Sequence, residues 1–321
     1  MPRRLRSPLA ALIFICATLL AAPIGAPAAP LSAQEPSIYI ALGDSLTFGV
    51  GASEPNQTGF VALAHDALER SERFAGTGID LINLSAPGAT SSDLSQPGGQ
   101  LQLAVNEIQR SADVPVITIG IGGNDLLALA DADSPCLTEL ETAPCQTALG
   151  EVLSDLQTHL GASLRALREA APNASIIVVD LYNPFSGTAD IRELIADVGV
   201  QRINGVITAT AADPALGAKL ASVFQLFQGR GLQWISADGI HPDDDGHAVM
   251  AEVVLAALDG RPPAISDDLL SVPPDPVLVL GSPPLVENGD GVPTVALVIA
   301  IVVAFVAGGV VVGAFFVVRG R

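Results

Sequence analysis

Short apolar runs recur along the chain at 38–42, 79–84, 114–121 and 176–181, with a weaker one at 220–224, and each is predicted as a strand. Between and after them, apolar residues fall at helical spacing over 60–74, 149–171, 191–211 and 247–258, predicting helices. Strands that alternate with helices imply an α/β domain whose mostly parallel sheet is covered on both faces. In such a sheet, active sites form beyond the carboxyl ends of the strands. Three of those ends carry Ser45, Ala86-Pro87-Gly88 and Gly122-Gly123-Asn124-Asp125.

The two chain ends break this pattern. Arg3, Arg4 and Arg6 precede an apolar run over 9–22, and the small residues Ala26, Ala28 and Ala33 follow, which is the layout of a secretory signal peptide over 1–33. Cys16 lies within that run, but bulky Phe14 and Ile15 before it argue against lipid attachment. After Gly260 the helical period is lost, and Pro262, Pro263, Pro273, Pro274, Pro276, Pro283, Pro284 and Pro293 mark a linker over 261–293. A span is expected over 294–318, where the 24 residues 295–318 carry no charge. As a helix they would reach about 36 Å, against a hydrocarbon core of roughly 30 Å. Arg319 and Arg321 form a short cytoplasmic tail at 319–321, so the domain over 34–260 is expected outside the cell, tethered to the membrane. Gly309 and Gly313 form a small-xxx-small spacing, a weak signal for self-association of such spans.

Composition narrows the function. A formal charge of −19 argues against nucleic acid as a partner. Of the three cysteines, Cys136 and Cys145 remain once Cys16 is removed with the signal peptide, and in an oxidising exterior they are expected to pair. No histidine has a metal-ligand partner at convincing spacing, so neither a metal nor another cofactor is expected.

The chemistry rests on Gly43-Asp44-Ser45-Leu46, directly after the first strand, and on Asp238-Gly239-Ile240-His241 far downstream. A hydroxyl is a poor nucleophile at neutral pH and needs a base, oriented by an acid, to take its proton. Ser45, His241 and Asp238 supply those three types. Asp44 and Asp125, each beside a better candidate, are expected to brace their loops, and His247 to lie at a helix start. The Gly-x-Ser-x-Gly elbow of α/β-hydrolases is absent, since Thr47 stands where its second glycine would be.

Over 37–258 the chain resembles the GDSL hydrolases, the SGNH hydrolase superfamily, whose four letters match in order at Ser45, Gly88, Asn124 and His241. The resemblance implies a three-layer α/β/α flavodoxin-like sandwich with a five-stranded sheet ordered 2-1-3-4-5. It implies Ser45 as nucleophile, His241 as base, Asp238 as orienting acid, and an oxyanion hole made by the Ser45 and Gly88 backbone N–H groups with the Asn124 amide. The expected partner is an ester substrate, a lipid, acylated glycan or small ester, cleaved by an esterase or lipase. Two alternatives stay open: an O-acyltransferase acting on envelope glycans with the same site, and a catalytically silent surface binding protein.

Overall fold

The computed structural model describes residues 35–130, 134–136 and 142–270. Five parallel strands, β1 (Ser37–Gly43), β2 (Ile79–Asn83), β3 (Val116–Gly120), β4 (Ser175–Val179) and β5 (Ala218–Ala221), form one sheet ordered β2-β1-β3-β4-β5.

Alternation along the strands sorts the core into two layers. Ile40 and Leu42, Ile117 and Ile119, and Ile176 and Val178 face helices Gln100–Arg110, Ala143–Ala170 and Ile191–Ala211. Tyr39 and Ala41, Val116, and Ile177 and Val179 face helices Phe60–Glu69 and Asp244–Asp259. The polar exception on the second face satisfies itself, since Tyr39 Oη and Thr118 Oγ1 hydrogen-bond at 3.0 Å in the core. Both faces of the central strands are thus buried, which is why their sequences read as unbroken apolar runs.

Local chemistry explains where helix boundaries depart from the periodicity. The helix predicted over 60–74 stops at Glu69, where the Ser71 hydroxyl donates to the Leu68 carbonyl at 2.6 Å. Ser71 thereby competes for a carbonyl of the last turn. Helix Ala143–Ala170 starts six residues before its predicted start because Pro144 fits a first helical turn. Helix Asp244–Asp259 starts at an Asp243 cap whose carboxylate accepts the Gly246 N–H at 2.9 Å, with Asp244 and Asp245 in the first turn. Helix Gln100–Arg110 was not predicted, although Leu101, Ala104, Val105 and Ile108 fall at helical spacing; its buried first residue, Gln100, is the polar position on the inward face.

The predicted signal peptide and span, with Gly309 and Gly313, and the linker from 271 on lie outside the described residues. The first ten linker residues are described: Asp267–Leu270 form a short helix, and Ile265 and Leu269 pack against the second layer of the domain. No helix among the described residues is long and apolar enough to cross a membrane.

Leu164, fully buried in the first layer, is the test of that layer's packing. Leu164→Ala is expected to cost about 2–5 kcal/mol. Urea unfolding should show this as a lower midpoint at unchanged slope, whereas an unmoved midpoint would contradict the assignment.

Candidate active site

The site begins where β1 ends. Gly43 has φ of +149°, and a Cβ there would lie 2.2 Å from the Gly120 carbonyl oxygen and 2.3 Å from Thr47 Oγ1, so only glycine makes this turn. Asp44 then caps the short helix Ser45–Phe48 by accepting the Leu46 N–H at 3.0 Å, which presents Ser45 at the carboxyl end of the sheet.

From 196 residues away, His241 Nε2 comes within 2.8 Å of Ser45 Oγ. Its Nδ1 lies 2.6 Å from Asp238 Oδ2, while Asp238 Oδ1 accepts the backbone N–H groups of Ile240 and His241 at 2.8 and 2.9 Å. Partial burial opposes ionisation of Asp238, but the His241 and Ile240 N–H groups and the imidazole outweigh it and hold the carboxyl down at about 2. A carboxylate that stays charged fixes Nδ1–H and leaves Nε2 as the lone pair facing the serine.

The loops beside this triad are fastened to one another. Asn124 Nδ2 donates to the Ala89 carbonyl at 2.9 Å, and the Asp125 carboxylate accepts both the N–H and the hydroxyl of Ser91. These bonds join the loop after β3 to the loop after β2. Asn124 keeps a second amide hydrogen, and the Ser45 and Gly88 N–H groups donate to no other described residue. All three residues line the same cavity as His241. The structure therefore brings together Ser45, Gly88, Asn124, Asp238 and His241.

Several residues that the sequence did not single out position this set. Gln100 clamps Gly43, accepting its N–H at 2.7 Å and donating to its carbonyl at 2.8 Å. The Tyr182 hydroxyl donates to the Ile240 carbonyl at 2.7 Å and so fixes the histidine loop from β4's side. Gly51, at φ +94°, packs under that loop; a Cβ there would lie 2.2 Å from the Pro242 oxygen and 2.8 Å from His241 Cβ. A lone tyrosine, glutamine or glycine between motifs carries no local signal for such roles.

His247 is buried in the first turn of helix Asp244–Asp259. Its Nδ1 accepts the Phe60 N–H at 3.3 Å, which leaves Nε2–H to donate to the Val50 carbonyl at 3.1 Å. Burial pushes this imidazole down to about 4, against the pull of Val50 and Asp244, so it stays neutral and structural. Asp244 ties the same loop down by accepting from Ser53 and Thr58.

The cavity beside Ser45 measures about 340 Å³. Its walls are mostly apolar and include Leu46, Val50, Pro87, Leu126, Phe185 and Val200. A disulfide joins Cys136 to Cys145, in the first turn of helix Ala143–Ala170, and so ties down the chain that follows the Leu126 wall. Among the described residues, no group of three His, Cys, Asp or Glu side chains is placed to hold a metal.

Asp44 contrasts with Asp238. Burial pushes its carboxyl up to about 7, the Leu46 N–H pulls the other way, and the nearby Asp125 carboxylate adds to the rise. A raised carboxyl is neutral in the folded state while already ionised in the unfolded chain, so its stability cost grows as pH climbs from about 4 to 7 and is complete above that. Asp44→Asn, which keeps the cap acceptor, is expected to raise Tm by several degrees relative to wild type at pH 8 and by much less at pH 5. An equal shift at both values, read by thermal melts, would contradict an ionised Asp44 burden.

With this geometry established, comparison with known proteins is specific. Residues 41–249 match the model of the GDSL-like lipase/acylhydrolase family. The chain is 29% identical over 233 residues to the spore germination lipase LipC of Bacillus licheniformis, covering 70% of this chain and 97% of that one. It is 28% identical over 234 residues to the uncharacterized protein YpmR of Bacillus subtilis, covering 70% and 82%. Among solved structures it resembles the lipase Lip_vut3 from a goat rumen metagenome, with 27% identity, a TM-score of 0.53 and coverage of 69% and 97%. The chain belongs to the GDSL-like lipase/acylhydrolase family and is an ester-hydrolysing serine hydrolase.

Proposed function

We propose that the chain cleaves carboxylic esters of apolar acyl chains through an acyl-enzyme on Ser45. The observation that carries this reading is the continuous chain from Asp238 through His241 to Ser45 Oγ, with contacts of 2.6 and 2.8 Å, at the mouth of an apolar cavity.

Ser45 Oγ attacks the ester carbonyl as its proton passes to His241 Nε2, and Asp238 stabilises the imidazolium that results. The developing oxyanion takes hydrogen bonds from the N–H groups of Ser45 and Gly88 and from the second amide hydrogen of Asn124. Collapse breaks the bond to the leaving oxygen, which takes the proton back from His241. A water molecule, deprotonated by the same Nε2, then releases the acid and restores Ser45.

The walls of the acyl cavity support an extended hydrocarbon chain over an acetyl group. The lipase assignment of the LipC relative points the same way. On this reading Ser45→Ala lowers kcat by roughly 10⁴-fold or more with an unchanged melting curve. The wild-type kcat/KM should rise at least about tenfold from acetyl to octanoyl esters of one alcohol, as burial gains roughly 0.8 kcal/mol per methylene. Turnover that survives in Ser45→Ala, or a preference for acetyl, would overturn the proposal.

The catalytic domain over 34–260 works outside the cell, tethered by the span over 294–318. The charge-free run 295–318, the arginine-led apolar run over 9–22 and the paired cysteines support this placement. In intact cells of the source, the domain should be cleaved by added protease, and the uncleaved chain should stay with membranes in alkaline carbonate. Recovery in the soluble fraction would refute the tether.

A further inference from the structure

A second cavity of about 230 Å³ adjoins the acyl cavity, sharing Pro184 and Phe185 as walls. Ser236 and Gly239, which flank the catalytic acid Asp238, border it. The two cavities differ in chemistry. The acyl side is mostly apolar, while Arg192, Thr188 and Ser236 bring polar groups to the second. Among the described residues, Arg192 is the one arginine or lysine lining either of them, in a chain of formal charge −19.

The Arg192 guanidinium is held in place before any ligand arrives. It lies over the Phe185 ring, 4.6 Å from the centroid, and its Nη2 donates to Asp190 Oδ2 at 2.9 Å. Asp190 in turn caps helix Ile191–Ala211 by accepting the Arg192 N–H. Only one edge of the planar fork is thereby used: Nε and Nη1 donate to no other described residue, and Nε is buried without a partner. A buried donor left unpaired is costly, and a stacked, pre-oriented guanidinium loses little entropy when an oxyanion docks on it.

We propose that this second cavity is the leaving-group subsite, and that Arg192 selects esters whose alcohol carries a phosphate, as in an acyl glycerophosphate. The inference rests on the ester-hydrolase reading above. With the acyl chain against Leu126 and Val200, the alcohol that receives the proton from His241 leaves past Phe185. A phosphate two carbons beyond the ester carbon of a glycerol backbone then meets the Arg192 fork. Asp190 keeps the pair near neutral when the subsite is empty, so an uncharged alcohol gains nothing from the cation.

The test compares two soluble esters differing only in the phosphate, octanoyl glycerol 3-phosphate and monooctanoylglycerol, below their aggregation limits. In Arg192→Gln the ratio of their kcat/KM values should fall about tenfold or more, chiefly through KM for the phosphate ester. Arg192→Lys should retain part of that preference, because a point charge replaces the fork. Free glycerol 3-phosphate should compete with monooctanoylglycerol in wild type and compete less well in Arg192→Gln. Added salt should weaken that competition. A ratio that moves by less than about threefold, or inhibition that is unchanged, overturns the subsite. Failure of the wild type to cleave either ester would instead overturn the hydrolase reading on which it rests.

Discussion

One imidazole held between a charged carboxylate and a serine hydroxyl is the interaction on which the rest of this structure depends. Each contact in that relay is short, yet Ser45 and His241 stand 196 residues apart in the chain. A parallel sheet solves the problem because successive strands deliver their loops to one end. The fold then fastens those loops by further hydrogen bonds: Gln100 to Gly43, Asn124 to Ala89, Asp125 to Ser91, Tyr182 to Ile240 and His247 to Val50. A mispositioning of about 1 Å in such a relay costs orders of magnitude in rate, so this bracing is as much a part of catalysis as the triad.

Charge is distributed with the same economy. Two aspartates near Ser45 are driven in opposite directions by their surroundings. Asp238, half open and given three hydrogen-bond donors, stays ionised, while Asp44, fully buried with one donor, is pushed toward neutrality. A second full negative charge beneath the nucleophile would oppose the oxyanion that forms during attack. The contrast leaves the negative charge on the far side of the imidazole, where it stabilises the imidazolium.

Much of this was legible in the sequence, and the exceptions have physical causes. Strand positions could be read because both faces of the central strands are buried, so β3 and β4 appear as apolar runs. Ser45, Gly88, Asn124 and His241 could be read because each ends or follows a recognisable block. Helix Gln100–Arg110 was legible too, since Leu101, Ala104, Val105 and Ile108 recur at helical spacing, but the inward role of its polar first residue, Gln100, was not. Tyr182, Gly51 and Arg192 were likewise silent, because their roles come from neighbours brought near only by the folded chain. Asp243 was legible in principle: a cap followed by two acids marks a helix start, and periodicity alone placed it three residues late.

The central claim is that Ser45 is nucleophilic because His241, oriented by Asp238, removes its proton. Mass spectrometry of the protein after reaction with an alkyl phosphonate ester tests it most directly. A single adduct is expected on the peptide containing Ser45 in wild type, with labelling slowed by orders of magnitude in His241→Ala. Label on another residue, or equal labelling of Ser45 without the histidine, would contradict it.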